Sequence, residues 1–240
     1  ILGFLGNTLS IVVLHRRQMR SSTSYYLLSL AIYDNGILLG MIIYFCLPAL
    51  ALYTPCLKDY GSISSLTIPV GYPLSLTAQM GSIYTCVGFT VERFIAVCRP
   101  LHVANTCTRS RTLRAMVLIF LWSLVYNIPR FFHYHTNATG IGPGRQRFSY
   151  KETAFGSDPT FKHLYLIYSQ LFFMFLLPFI IILVMNVGLI RAVKNSKSMH
   201  QSMCASARKE HNLTVMLIAV IVVFLVCQFP TIIDNILVAV

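Results

Sequence analysis

The sequence predicts an all-α membrane protein, a bundle of helices crossing a bilayer. Three observations predict it. Of 240 residues, 56% are hydrophobic and only 11% charged, where soluble domains carry about 25% charged residues. The apolar residues fall in runs long enough to span hydrocarbon. The net charge of +12 sits in short basic clusters between those runs, which suits membrane topology better than a nucleic-acid face. A core in so short a chain could not hide this much apolar surface; a lipid bilayer can. The sequence holds no HExxH, nucleophile elbow or phosphate loop, so enzyme chemistry has no support.

A spanning helix needs about 20 apolar residues, and six candidate runs follow in order. The first, Ile1 to Leu14, is short because it starts in mid-hydrophobic sequence. The second runs from about Tyr25 to Leu52. The third, about Thr67 to Val97, is long enough to tilt. The fourth covers about Thr112 to Phe132, the fifth His163 to Val193, and the sixth Asn212 to Val240. Backbone groups in lipid must be paired within the segment, so these runs are expected to be helices; no alternating pattern suggests a barrel. The chain reads as one transmembrane domain over residues 1–240, a fragment trimmed at both ends.

Loop charge sets the orientation. Arg16, Arg17 and Arg20 follow the first run. Arg99, Arg109, Arg111 and Arg114 follow the third, and Arg191, Lys194, Lys197, Arg208 and Lys209 follow the fifth. These alternate loops are expected to be cytoplasmic, which puts the amino terminus outside. The sequon Asn137-Ala138-Thr139 then falls in an extracellular loop, so Asn137 is a candidate glycosylation site. The sequon at Asn212 falls inside and is expected to be unused. Seven cysteines are scattered without a CxxC pair; Cys46 and Cys56 could pair with each other, though nothing fixes their geometry. His133, His135 and His163 share the extracellular side, where solvated loop histidines are the simpler reading than a metal site.

Ionisable residues within a bilayer are costly, so each is a candidate for function. Asp34 lies in the second run, Glu92 and Arg93 close the third, and Asp234 lies beyond Pro230 near the outer end of the sixth. Gly6-Asn7, Leu30-Ala31-x-x-Asp34, Glu92-Arg93-Phe94 with Pro100-Leu101, Trp122, Pro178 and Pro230 occur in one order on consistent sides of the membrane. Together they resemble the rhodopsin-like G-protein-coupled receptors over the whole chain. The resemblance implies a seven-helix receptor bundle of which six helices are present, the first cut short and the seventh absent. A narrower likeness runs through Glu92 to Leu101, Cys107-Thr108 and Tyr126-Asn127-x-Pro129-Arg130-Phe131. It is similar to invertebrate FMRFamide-type neuropeptide receptors.

The resemblance assigns roles. Arg93 would be held in the resting state by Glu92 and by Glu210 at the base of the sixth helix, then turned to a heterotrimeric G protein; otherwise it simply snorkels to the headgroups. Asp34 would bind a sodium ion with Ser82, near Asn7, oxygen ligands suited to a hard cation; otherwise it is a hydrogen-bonded structural residue. No other cofactor is implied. Pro178 and Pro230 remove backbone bonds and kink their helices, as hinges or as static kinks. Ser75, Gln79, Gln228, Phe229 and Asp234 are the expected ligand pocket. An aminergic receptor would carry an acid where Ser75 stands, so an amine ligand is not expected. Asp234 could accept the arginine of an amidated peptide, with Tyr72, Tyr84, Phe172 and Phe229 as aromatic partners; otherwise Asp234 is a solvated helix end.

The chain also departs from the family. A cysteine usually ends the third helix, bonded to the second extracellular loop. Ile68 stands near that point, and His133 to Lys162 contains no cysteine. Gln228 replaces the usual sixth-helix tryptophan, and Asn186 a common fifth-helix tyrosine. The expected function is a plasma-membrane receptor transducing an extracellular peptide, FMRFamide-like, to a G protein. A non-signalling receptor-like scaffold is the alternative, and a six-helix transporter a weaker one, since there is one deep acid and no internal repeat.

Overall fold

A computed structural model describes residues 2–16, 21–51, 53–54, 56, 60–98, 108–140 and 146–197, with positions 222 and 226. Apart from positions 222 and 226, the sixth predicted run lies outside the described residues, as do Glu210, Asn212, Gln228, Phe229, Pro230 and Asp234. Helix α1 spans Leu2–Leu14. Helix α2, Ser22–Met41, continues through a π-helical turn, Ile42–Cys46, into a last α turn, Leu47–Ala51. Helix α3 runs from Tyr60–Cys98. Helix α4, Arg109–Asn127, tightens into a 3-10 turn, Ile128–Phe132. Strands β1 (Tyr134–Gly140) and β2 (Gln146–Glu152) form an antiparallel hairpin pairing Thr136 with Tyr150 and Ala138 with Phe148. The fifth span opens as π-helix, Phe161–Ser169 and Leu171–Leu176, and becomes helix α5, Leu177–Lys197.

Four of these helical stretches are long and apolar enough to cross a membrane; α1 is shorter. Their outer faces carry Leu118, Val125, Leu164 and Val184, each more than half exposed. Such rows are untenable in water and are what lipid covers. The chain clusters into two compact units, Ile1–Thr85 with Leu113–Lys162, and Cys86–Thr112 with His163–Val240.

Within lipid, polar groups turn back on their own backbone. Thr8 donates to the Phe4 carbonyl (2.7 Å) and Ser10 to that of Gly6 (2.9 Å). Ser21 caps α2 by accepting from the Ser24 amide at 3.1 Å, satisfying one orphan donor of the helix start. Helices α2 and α3 approach through small residues, the usual device where no hydrophobic force separates helix from lipid. A Cβ on Gly36 would sit 3.3 Å from that of Ala78, and one on Gly40 would strike the Ser75 side chain. The rings of Tyr33 and Tyr44 close over Gly81 and Gly71 from the α2 side.

Two expectations are corrected. Helix α3 starts at Tyr60 rather than Thr67, because the serines of its first turns bond within the helix: Ser64 and Ser65 both donate to the Gly61 carbonyl. The segment from His133 to Lys162, expected to be a loop, contains the hairpin. The pairing of Cys46 with Cys56, left open by the sequence, does not form: both are free and exposed.

Candidate functional site

In the unit of the first helices, the Ser82 hydroxyl donates to Asp34 Oδ1 at 2.7 Å. Both residues are half-buried, where a carboxylate without a donor would be costly. Asn7 joins Asp34 in lining an open groove of about 440 Å³ between α1 and α2. The rest of its wall is largely apolar, from Val13, Leu14, Leu27 and Leu30. The sequence-derived trio is therefore brought to one region. Asn35, one position on, donates to Thr8 of α1 at 3.3 Å.

In the second unit, Glu92 is buried at 8% exposure and accepts from Thr112 of α4 at 3.5 Å. Thr112 is itself buried, and no motif in the sequence marked it. The Arg93 guanidinium lies 5.1 Å from the centroid of the Phe89 ring, a cation–π contact four residues along the same helix. Phe94 packs on Gly188 of α5, where an added Cβ would lie 2.7 Å from the ring. The Glu92-Arg93-Phe94 triplet thus sends its members three ways, to α4, along α3 and to α5. Asn186, 1% exposed, has no hydrogen-bond partner for either amide atom. Pro178 is fully buried at the junction of the π-helical stretch and α5, and, lacking an amide hydrogen, it cannot donate to the turn before it.

Of the expected ligand-pocket residues, Ser75 and Gln79 are described. Ser75 donates to the Gly71 carbonyl at 3.0 Å and faces Gly40 of α2; Gln79 is half-buried on α3. Tyr84 gives its ring to Trp122 of α4, edge-on with centroids 6.4 Å apart. Phe172 is partly exposed and sets its edge against Phe173.

The base of the hairpin holds a cluster around His133, which the sequence suggested as a solvated loop histidine and which is instead buried at 5% exposure. Lys162 Nζ lies 2.8 Å from Glu152 Oε2. His133 Nε2 lies 3.5 Å from Glu152 Oε1, an ion-pair distance without hydrogen-bond geometry. The imidazole stacks on Tyr134 at 4.0 Å and meets the edge of Phe161 at 5.6 Å. Burial holds the His133 pKa below its ordinary value and outweighs the opposing pull of Glu152; Arg130 and Lys162 push the same way as burial. The bond from Lys162 lowers Glu152. Burial pushes the Tyr134 hydroxyl up to about 12. Asn137 lies on β1, half-buried, opposite Ser149.

A family model for the 7 transmembrane receptor (rhodopsin family) matches residues 6–240. The chain belongs to that family: a multi-pass membrane protein built on a seven-helix bundle. It is 31% identical to the FMRFamide receptor of Drosophila melanogaster, over 98% of this chain and 43% of that protein. It is 34% identical to the FMRFamide peptide receptor frpr-18 of Caenorhabditis elegans, over 62% of this chain and 37% of that protein. Human neuromedin-U receptor 2 is 28% identical over 98% of this chain and 56% of its own length. The chain therefore spans about half, or less, of each of these relatives.

Proposed function

We propose that this chain is the helical part of a plasma-membrane receptor, amino terminus outside, that passes the binding of an amidated, FMRFamide-like peptide to a heterotrimeric G protein. The observation that carries the reading is the triplet at the inner end of α3: a buried Glu92 beside an Arg93 lodged on its own helix by an aromatic ring. An arginine resting on an aromatic ring at a helix end is suited to exchange one partner for another between two states of similar energy. The names of the relatives support the peptide class, because two are FMRFamide receptors and a third is a neuromedin-U receptor. With the full-length protein at the cell surface, amidated Arg-Phe peptides are expected to activate G protein. Arg93→Ala is expected to abolish the response at unchanged peptide binding. Activation that survives Arg93→Ala overturns the assignment of the triplet.

Asp34 and Ser82, with Asn7 on the same groove, are proposed as the receptor's sodium-sensitive polar core. A carboxylate and a hydroxyl 2.7 Å apart supply hard oxygen donors. Exchanging sodium for a large organic cation is expected to raise peptide affinity in the wild type and to leave Asp34→Asn unmoved. Equal sodium responses in both proteins contradict the assignment. Asn137, on the hairpin, is proposed as the glycosylated asparagine, which a glycosidase-induced mobility shift lost in Asn137→Gln tests directly.

A further inference from the structure

The outer turns of α3, Tyr60 to Thr85, and the segment His133 to Lys162 hold no cysteines with which to be joined, yet the hairpin is fastened to α3 at two points. Pro69 lacks an amide hydrogen, so the carbonyl four residues back, that of Ser65, loses its helical donor. Ser65 is buried at 7% exposure, and a buried carbonyl without a donor is expensive. The Thr136 hydroxyl of β1 donates to it at 3.2 Å. One turn nearer the start of α3, Ser62 Oγ accepts the Phe148 amide of β2 at 2.6 Å. Ser62 and Ser65 are three residues apart, about 4.5 Å along the helix axis. Thr136 and Phe148 lie on opposite strands, two registers apart in the ladder. Each strand is therefore held once, by adjacent turns of one helix.

We infer that the Thr136–Ser65 and Phe148–Ser62 hydrogen bonds form a non-covalent tether that positions the β1–β2 hairpin on the outer end of α3, replacing the covalent link this chain cannot make. The proline is part of the device, because it opens the acceptor that the threonine fills. Such a tether is indifferent to reductant and can open and reclose, which a disulfide cannot do on the timescale of ligand exchange. Thr136 and Ser62 are positioning residues: they act through the hairpin, not on a ligand.

Hydrogen–deuterium exchange on the purified full-length receptor tests the tether. In Thr136→Val and in Ser62→Ala, amides of Tyr134–Gly140 and Gln146–Glu152 are expected to exchange about fivefold faster for each bond lost, while those of α2 and α4 do not change. Thr136→Ser, which keeps the hydroxyl, is expected to reverse the effect of the valine. Unchanged hairpin exchange in the double variant overturns the inference. So does faster exchange spread equally over the helices, which would mark a general loss of stability instead. The readout needs no ligand, so it stands or falls apart from the peptide reading. Dissociation of bound FMRFamide from the same variants then reports whether the hairpin also holds peptide.

Discussion

At the scale of single residues, the chain places its ionisable groups where a neighbour meets their cost. Asp34 has Ser82, Glu92 has Thr112, and Glu152 has Lys162. His133 differs, because burial beside Arg130 and Lys162 works against its protonated form despite the nearby carboxylate. Its folded pKa lies below the ordinary 6.5, so the unfolded hairpin base binds more protons as acid is added. Stability then rises with pH and is lost as pH falls through about 6.5. Glu152 has the usual carboxylate sign: its share is present above its ordinary 4.5 and disappears below it. Protection factors of the hairpin amides, corrected for the base-catalysed intrinsic rate of exchange, are therefore expected to be lower at about pH 5.5 than at about pH 7.5, and His133→Gln is expected to flatten that dependence. A pH response that persists in His133→Gln would assign it to another group.

At the scale of elements, close approach of α2 and α3 depends on residues without side chains. At Gly81 a Cβ would lie 2.5 Å from the Tyr33 ring, on a tyrosine held within the bundle. Gly81→Ala is expected to destabilise the folded receptor by about 1–3 kcal/mol, read as a lower melting temperature in detergent. Gly6, with nothing within 4 Å of its Cβ position, is the control: Gly6→Ala should leave the melting temperature alone or raise it slightly through helix propensity. The boundaries of elements were the least legible part of the sequence. The first turns of α3 look like a polar loop, since Gly61, Ser62, Ser64 and Ser65 break the apolar run. Serines that bond to their own helix remove the polarity that the reading relied on. Gly142-Pro143-Gly144, between the two strands in sequence, is a signal for the hairpin, but β1 is too polar for apolar alternation to mark it as a strand. The π-helical opening of the fifth span left no trace, as its composition matches that of any apolar helix.

At the scale of the whole molecule, the class was legible because a bilayer leaves few choices. Long apolar runs must be helices, and basic loops fix which side they face. The few intramembrane polar residues could then be recognised by order and spacing. That is why Asn7, Asp34 and Ser82 were found together, and why Glu92 and Arg93 were placed at a helix end. Partners without a motif were not legible. Thr112, the Thr136–Ser65 hydrogen bond and the His133 cluster depend on contacts between segments far apart in sequence, which periodicity does not encode.

The central claim is that this family member converts a peptide signal into G-protein activation through Arg93. The most direct measurement is nucleotide exchange on heterotrimeric G protein by the full-length receptor, with FMRFamide added, for wild type and Arg93→Ala side by side. Dose-dependent exchange is expected in the wild type and none in the variant, at equal surface expression and equal peptide binding. Bound FMRFamide that drives no exchange in the wild type would contradict it, and would favour a receptor-shaped protein that binds without signalling.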